Sequence, residues 1–486
     1  MIGRLEETRR LENAYASNES EFVAVYGRRR VGKTYLVRET FDGRFVFRHA
    51  GLAEAGRAKQ LARFAQSLSE ASGDKVHKLA DWDAAFDALK TVIDKSLQLR
   101  KVIFIDEMPW MDTPRSGFVT ALESFWNGWA SARKDVLLIV CGSAASWIVR
   151  NLLRNKGGLH NRVTCRIHLK PFTLAECAAL AHERGLVLSK DELAEGYMIL
   201  GGIPYYWKYL ERGKSLAQNI DALFFADSAP LRYEFNELYS SLFGRSDVYR
   251  RIVQALYKGR KCGMTRLELC AALKVGSTGM LTKSLEVLEQ CGFIETYTLP
   301  GTRKRGAVIR LMDAFTIFHF KFLEGAGRLD EHTWSTTCNS PAVNTWRGLA
   351  FERVCLAHLP QIRAALGISG IHIKAYTWYH KPDDICSDGA QVDLVIERAD
   401  NVINLCEMKY SRGAFRIDKS YAAELRNKIS VYEATEHTRK ALHLTMIASN
   451  GLAPNEYSGL IQSTLTLDAL FGQSPTWRER RISPSG

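Results

Sequence analysis

The chain has 486 residues, too many for one hydrophobic core, and its composition is that of a folded protein, with 46% hydrophobic and 24% charged residues. No apolar run approaches the roughly 20 residues that span a bilayer, and the charged start Met1–Glu7 lacks the apolar core of a signal peptide. We therefore expect about three domains, no membrane partner and a cytoplasmic location. The formal net charge of +13 favours an anionic partner, with nucleic acid first among them.

The first motif of the chain lies between a predicted strand and a predicted helix. Residues 21–26 are apolar and rich in strand formers, and residues 34–39 have the pattern of the first turns of a helix. The loop that matches G-x-x-x-x-G-K-[ST] consists of Gly27, Arg28, Arg29, Arg30, Val31, Gly32, Lys33 and Thr34. Such loops cradle phosphates with backbone N–H groups. The motif predicts binding of ATP and Mg²⁺, with Lys33 on the β- and γ-phosphates and Thr34 on Mg²⁺; the alternative is merely a tight turn.

A second strand-like run, residues 101–107, ends in two carboxylates. In nucleotide hydrolases such a strand end accompanies the phosphate loop, so Asp106 is predicted to hold Mg²⁺ and Glu107 to orient or deprotonate the attacking water. Helical spacing of apolar residues over 57–72 and 82–99 predicts helices that cover the sheet.

Two further residues are candidates for contact with the γ-phosphate. Ser143 follows a third strand-like run, residues 136–141, and is either a polar sensor of the phosphate or part of a Gly-Ser turn. Arg162 either supplies positive charge to the γ-phosphate or is an ordinary surface arginine. The sequence leaves both pairs of alternatives open.

Five motifs in order resemble those of the archaeal-type ATPases of archaea and bacteria, which belong to the signal-transducing NTPase branch near the AAA+ ATPases. They are GRRRVGKT at 27–34, FIDE at 104–107, CGS at 141–143, GLHNR at 158–162 and GGIPYY at 201–206. The resemblance implies an α/β P-loop NTPase (AAA+-like) fold for residues 1–170 and a helical lid over residues 171–240, with Pro204 near the adenine. Taken alone, Gly-Gly-x-Pro predicts only a turn between helices.

Residues 241–325 have the pattern of a winged-helix domain, followed by a polar linker over residues 330–340. Three helices are predicted over 248–257, 265–273 and 277–291, and two strands over 293–297 and 307–311. Between residues 245 and 310 the chain has 13 Lys or Arg and 5 Asp or Glu, so most of the excess positive charge lies here. Candidate contacts to DNA phosphates are Ser277, Thr278 and Lys283 on the recognition helix and Arg303, Lys304 and Arg305 on the wing tip. The pattern favours nonspecific DNA binding over a purely structural winged helix.

The last predicted domain, residues 340–475, carries an ordered set of charged residues. A helix supplies Glu352, one strand supplies Asp393, and the next supplies Glu407 and Lys409, which share a face because side chains alternate along a strand. Two carboxylates and a lysine on one face indicate a site for a hard cation that activates water. The order is similar to the D…E-x-K signature of the restriction-endonuclease-like superfamily. That resemblance implies an α/β domain in which Glu352, Asp393 and Glu407 bind Mg²⁺, while Lys409 stabilises the developing charge or positions the water.

The three regions lead to three hypotheses for the whole protein. The first is an ATP-hydrolysing protein that couples nucleotide binding to DNA binding and Mg²⁺-dependent DNA cleavage. The second is a nucleotide-dependent switch that binds DNA or protein through an inactive nuclease-like domain. The third is an ATPase that acts on other proteins. The sequence leaves open whether the chain forms a homo-oligomer, and whether Arg162 acts within its own subunit or on a neighbour.

Overall fold

The computed structural model describes residues 1–142, 145–153, 157–159, 161–242, 246–260, 262–298, 307–325, 330–382 and 389–472. The chain divides into two units. The first contains Met1–Pro171, Ser240–Gly244 and Lys283–Gly292, and the second contains Phe172–Tyr239, Arg245–Thr282 and Phe293–Gly486. Four predicted site residues lie outside the described residues: Ser143, Arg303, Lys304 and Arg305.

The first unit is built on five parallel strands. The strands are β1 (Glu21–Tyr26), β2 (Phe45–Ala50), β3 (Lys101–Asp106), β4 (Val136–Gly142) and β5 (Cys165–His168). Their order in the sheet is β2-β3-β4-β1-β5. Every residue of β3 and β4 is buried, as expected for central strands of a parallel sheet. Because β4 lies between β1 and β3, the loop after β1 and the acidic end of β3 open at the same edge.

Helices cover the sheet of the first unit. They are α1 (Leu5–Ala16), α2 (Lys33–Thr40), α3 (Arg57–Ser72), α4 (Trp82–Lys95), α5 (Phe118–Gly128) and α6 (Ala145–Ile148). The core they form with the sheet is rich in aromatic rings, among them Phe64, Trp82 and Phe125. The predicted helix over 82–99 ends earlier, at Lys95, because the chain then leaves the core and exposes Leu97 and Leu99 almost fully.

The second unit contains fourteen α-helices among its described residues, some of them only in part. They are α7 (Leu174–Glu183), α8 (Lys190–Leu200), α9 (Pro204–Trp207), α10 (Leu216–Ile220), α11 (Glu234–Leu242), α12 (Ser246–Lys258), α13 (Arg266–Leu273), α14 (Gly279–Gln290), α15 (Ala314–Phe322), α16 (Thr333–Thr337), α17 (Pro341–Ala357), α18 (Leu359–Ala365), α19 (Lys419–Glu436) and α20 (Leu467–Phe471). Capping boxes begin several of them. At α7, for example, the Thr173 hydroxyl accepts from the Glu176 backbone N–H while the Glu176 carboxylate accepts from that of Thr173.

Two sheets complete the second unit. The smaller has β6 (Met264–Thr265), β7 (Ile294–Tyr297) and β8 (Val308–Leu311), in the antiparallel order β6-β8-β7. The larger has β9 (Ile373–His380), β10 (Ala390–Arg398), β11 (Val402–Lys409), β12 (Ala441–Ala448) and β13 (Ser463–Leu465), in the order β13-β12-β11-β10-β9. β10 and β11 form the predicted antiparallel hairpin, and β12 runs parallel to β11 after the crossover through α19.

Two expectations for this unit need correction. The small sheet has a third strand, β6, which at two residues is too short to give an alternating sequence pattern. The predicted linker over 330–340 contains the helix α16, because Trp334 is buried and its backbone N–H donates to Asp221 Oδ1 at 2.7 Å. The three helices predicted over 248–291 are observed as α12, α13 and α14. In the part of the chain that the structure describes, no helix combines the length and apolarity needed to cross a membrane.

Candidate functional site

The loop between β1 and α2 follows a path that requires glycine at two positions. Gly27 has a φ of +149°, and a Cβ atom there would lie 2.3 Å from the carbonyl oxygen of Leu169. Gly32, which directly precedes α2, has a φ of +94°. Side chains strain the backbone in this φ region, whereas glycine adopts it freely. The positive φ angles therefore explain why both positions of the phosphate-loop motif are glycine.

Lys33 is folded back onto this loop. Its side chain is buried, and its Nζ donates to the carbonyl oxygens of Gly27 at 3.2 Å and Arg28 at 2.9 Å. A buried ammonium group needs such acceptors because leaving it unpaired would cost several kcal/mol, roughly. The same N–H donors suit phosphate oxygens, so the ammonium group is already held at the phosphate-binding loop.

The other residues of the loop differ in exposure. Arg28 and Val31 are buried, while Arg29 and Arg30 are half-buried. The carbonyl oxygen of Val31 accepts a hydrogen bond from the buried Arg4 at 3.1 Å. Sequence reasoning missed Arg4, which braces the phosphate loop from the start of α1.

The acidic end of β3 meets the phosphate loop, as predicted. The Thr34 hydroxyl donates to Asp106 Oδ2 at 2.7 Å, and the backbone N–H of Glu107 donates to Asp106 Oδ1 at 2.8 Å. Hydroxyl and carboxylate oxygens are the ligands that Mg²⁺ prefers, so Thr34 and Asp106 fit this ion. Glu107 has a φ of 45°, in the left-handed region that non-glycine residues adopt mostly at strained or functional sites. The pair predicted to hold Mg²⁺ is therefore assembled between two segments far apart in the chain.

Cys141 is a part of this site that sequence reasoning missed. It lies on β4, between the two motif strands, and its Sγ contacts Asp106 Oδ1. Burial and the nearby Asp106 carboxylate raise the pKa of Cys141 well above its ordinary value. The thiol therefore stays protonated and donates to Asp106. The usable signal was the position of Cys141 at the end of a fully apolar strand.

The structure places the two remaining nucleotide-site candidates as follows. Arg162 is exposed on a turn, where its backbone N–H donates to the carbonyl oxygen of Leu159. Pro204 is buried at the start of α9, after the turn that ends α8. That turn needs its glycines, since Gly201 has a φ of +60° and a Cβ atom on Gly202 would lie 1.9 Å from the Phe172 carbonyl oxygen. Their roles toward a nucleotide stay predictions.

The second candidate site is centred on Glu407 of β11. This side chain is only 2% exposed, and its Oε2 accepts from Lys428 Nζ at 2.8 Å and from the Tyr421 hydroxyl at 3.1 Å. Its Oε1 is buried without a hydrogen-bond partner among the described residues. A buried carboxylate oxygen with spare acceptor capacity is suited to bind a further donor or a cation.

Asp393 of β10 lies beside Glu407 in this site. It is buried, and its Oδ2 accepts from the backbone N–H of Met408 at 3.1 Å. Burial and the Asp393 carboxylate raise the pKa of Glu407 to about 7, although Lys428 opposes the shift. Burial opposes the charged form of Lys428 as well, but its ion pairs with Glu407 and Glu424 outweigh burial and raise its pKa. Lys428, which sequence reasoning missed, is thus part of the site.

All four residues predicted for this site line one cavity of about 380 Å³: Glu352, Asp393, Glu407 and Lys409. The Nζ atom of Lys409 lies 4.5 Å from the centre of the Tyr421 ring. Within the described ranges, no three His, Cys, Asp or Glu side chains group closely enough to hold a metal ion. Asp393 and Glu407 fit Mg²⁺ by the chemistry of their oxygens; ligation by all three carboxylates stays a prediction.

Comparison with known proteins finds a family match for the N-terminal part of the chain. Residues 1–210 match the model of an ATPase domain found predominantly in archaea. An uncharacterised protein of Methanocaldococcus jannaschii is 24% identical over 395 residues, which cover 79% of this chain and 83% of that protein. A solved Walker-type ATPase of Pyrococcus abyssi shares 17% identity over 65% of this chain and 95% of its own, with a TM-score of 0.47. The ORC2 protein of Aeropyrum pernix shares 12% identity over 66% of this chain and 93% of its own, with a TM-score of 0.42. Residues 1–210 are therefore similar to an archaeal-type ATPase domain, and the loop of this segment has the sequence and the glycine conformations of a P-loop.

Proposed function

We propose that this protein hydrolyses ATP in its first unit and couples the nucleotide to DNA binding and to Mg²⁺-dependent cleavage of DNA at the Glu407 site. The observation that carries the cleavage step is the buried Glu407 Oε1. It lies in the same cavity as Asp393 and Lys409 and has no hydrogen-bond partner among the described residues. Such an arrangement is costly unless a cation completes it.

In the ATPase domain, different residues would bind the phosphates, the metal ion and the attacking water. Lys33 and the loop N–H groups would bind the phosphates. Thr34 and Asp106 would hold Mg²⁺, and the ion would supply positive charge against the negative charge that develops on the phosphate oxygens. Glu107 positions the attacking water or accepts its proton.

In the C-terminal site, Asp393 and Glu407 would hold Mg²⁺, which would supply polarisation of a phosphodiester and its attacking water when bound. Lys409 supplies the positive charge that stabilises the negative charge developing on the phosphate. Glu407 must lose its proton to bind the ion. The ion would add to the unpartnered Oε1 atom, beside the Lys428 ammonium group that donates to Oε2.

DNA contact is supported by the composition of residues 245–310, which contain 13 Lys or Arg and 5 Asp or Glu. Lys283 is exposed on α14, and Ser277 and Thr278 are exposed just before it. The Ser277 hydroxyl, however, accepts a hydrogen bond from Arg266 Nε at 2.8 Å, so it also stabilises the turn before α14. This composition favours phosphate contact over base recognition. DNA affinity should therefore fall steeply between 50 and 200 mM salt, roughly a thousandfold if six phosphates are contacted.

A plasmid-cleavage assay tests the nuclease proposal. Supercoiled DNA is incubated with Mg²⁺, with and without ATP, and with the unaltered protein, Asp393→Asn, Lys409→Met or Lys33→Ala. We expect cleavage by the unaltered protein, loss in the first two variants, and loss of ATP dependence in the third. Asp400→Asn, an exposed carboxylate at the far end of the same hairpin, is the matched control. Cleavage that persists in Asp393→Asn, or is absent from every form, contradicts the proposal.

A second candidate function is a nucleotide-dependent switch that binds DNA without cutting it. It is favoured by the ion pair between Lys428 and Glu407, because the lysine supplies a built-in positive charge where a metal ion would bind. Filter binding of duplex DNA distinguishes the two functions. Binding that requires ATP and is lost in Lys33→Ala, without strand scission at any Mg²⁺ concentration, would favour the switch.

A further inference from the structure

The backbone that carries Asp393 is irregular. At this point of β10, two residues, Asp393 and Leu394, lie opposite the single residue Thr377 of β9. A bulge of this kind changes the direction of the side chain it carries, and it persists only where neighbouring contacts hold it. Thr377 provides such a contact, because its buried hydroxyl donates to the Asp393 carbonyl oxygen at 2.9 Å.

Thr377 is itself held by a residue from the other sheet of this unit. Arg310 of β8 donates through Nη1 to the Thr377 hydroxyl at 2.7 Å and through Nη2 to Glu295 Oε2 at 2.6 Å. Its guanidinium lies 4.9 Å from the centre of the Tyr297 ring. Arg310 is only 5% exposed, and a buried guanidinium is costly unless its geometry is satisfied. The arginine therefore holds Thr377 in one rotamer.

The contact between the two sheets does not depend on Arg310 alone. Tyr297 and Val308 of the small sheet belong to the same hydrophobic core as Tyr376 and Trp378, which flank Thr377 on β9. The small sheet is thus packed onto the edge strand next to Asp393. Two independent observations, the packing and the hydrogen bonds, join the small sheet to the bulge.

We propose that Arg310 is a positioning residue that acts through Thr377 to fix the Asp393 bulge and thereby the metal-binding geometry of the Glu407 site. The inference rests on the proposed nuclease function. Its consequence is that the small sheet, which belongs to the region proposed to bind DNA, also supports the proposed cleavage site. Displacing this sheet lowers the affinity of the site for Mg²⁺.

A pair of matched variants tests the proposal in the full chain. Thr377→Val keeps the shape of the side chain but removes the hydroxyl, whereas Thr377→Ser keeps the hydroxyl. Mg²⁺ affinity is measured by titration calorimetry without nucleotide, and Asp393→Asn identifies the part of the signal that comes from this site. Supporting residues of metal sites typically change affinity 10- to 100-fold, so we expect about 10-fold weaker binding in Thr377→Val and Arg310→Met, and about wild-type affinity in Thr377→Ser.

The outcomes separate this inference from the function on which it rests. ATP hydrolysis, measured on the same samples, shows that the first unit is intact in each variant. Wild-type Mg²⁺ affinity in Thr377→Val, or equal losses in Thr377→Val and Thr377→Ser, overturns the positioning role and leaves the proposed function standing. Identical binding by the unaltered protein and Asp393→Asn overturns both, since the site then binds no Mg²⁺.

Discussion

The two units each carry a buried carboxylate near the end of a strand, but the two carboxylates are stabilised differently. Asp106 accepts hydrogen bonds from the Thr34 hydroxyl and the Glu107 backbone N–H, which are neutral donors. Glu407 accepts from the Lys428 ammonium group, and its pKa is raised to about 7. Neutral donors leave the charge of Asp106 available to a cation. The charge of Glu407 is already shared with a lysine, so a metal ion there must compete with an ammonium group.

Because of this difference, the binding of a metal ion has different physical requirements at the ATPase site and at the proposed nuclease site. At the phosphate loop, the hydrogen bonds to Asp106 come from neutral donors. At the Glu407 site, a metal ion would have to displace a proton and bind at Oε1 beside the Lys428 ammonium group on Oε2. Variants that remove one partner at each site therefore measure how far the two carboxylates differ.

The largest effect is expected for Lys428→Met, which leaves the buried Glu407 carboxylate beside Asp393 without its cation. Breaking a buried ion pair in this way typically costs about 3–5 kcal/mol in the free energy of unfolding. We expect this loss at pH 8, measured by chemical denaturation, and a smaller loss at pH 5.5, where Glu407 is protonated in the folded state.

The double variant Lys428→Met with Glu407→Gln is the control, because a neutral amide needs no cation. It should recover most of the stability. If Glu407 binds Mg²⁺, millimolar Mg²⁺ should also stabilise Lys428→Met more than the unaltered protein. Equal stabilisation of both by Mg²⁺ would count against a metal site and in favour of the switch.

Lys33→Ala should give the next largest effect, and in the other unit. Removing one positioned donor to a developing charge typically lowers a rate by 100- to 1,000-fold, roughly. We expect a loss of ATP hydrolysis on that scale, measured by phosphate release, with Mg²⁺ binding at the Glu407 site unchanged. Lys90→Ala is the matched control, since Lys90 lies in the same unit and forms its ion pair with the exposed Asp87. Hydrolysis that survives Lys33→Ala would exclude the phosphate loop as the catalytic site.

Much of the fold was predictable because its signals are local. Residues 102–105 are all apolar and are followed by the carboxylate of Asp106, and the structure has β3 there. The hairpin of β10 and β11 followed from two strand patterns around a turn at Asn401, which has the left-handed φ of 63° that such turns use. The two-residue strand β6 and the short helix α16 were not predicted, since both are too short to show a period and depend on tertiary contacts.

The candidate sites were only partly predictable, for the same reason. Thr34 and Asp106 belong to known motifs, and the structure joins them by a hydrogen bond. Lys428 lies in a helix of ordinary polar composition, and nothing local indicates that it is buried against Glu407. In the sequence, Arg310 is one of several positive charges in a basic stretch, and only the structure reveals its contact with Thr377. Partners that come from other elements have no signature in their own segments.

A pH experiment extends the comparison from the two carboxylates to two histidines, the buried His49 and the half-buried His319. Burial and then Arg63 lower the pKa of His49 in the first unit to about 4, and burial and then Arg250 lower that of His319 in the second unit to about 4. Below pH 6.5 each of these histidines binds a proton in the unfolded chain but stays neutral in the folded chain. The free energy of unfolding therefore falls as the pH drops from 6.5 toward 4. The loss at pH 4 is about 3 kcal/mol for each residue.

Glutamine variants assign this acid sensitivity to each unit. His49→Gln should reduce the acid loss of the first unit only, and His319→Gln that of the second, in calorimetric scans at pH 7.5 and 4.5. An exposed histidine, His332, provides the control, because its replacement should change neither transition. Acid sensitivity that both variants retain in full would mean that carboxylate protonation, and not histidine burial, limits stability in acid.

The smallest effect is expected for Tyr421→Phe, which removes one of the two hydrogen bonds to Glu407 Oε2 and leaves the lysine in place. The loss of such a bond typically costs about 1 kcal/mol. Because the bond stabilises the ionised carboxylate, the loss should be larger at pH 8 than at pH 5.5, and the exposed Tyr233 serves as the control residue. A loss independent of pH would show that the tyrosine stabilises packing and not the charge of Glu407.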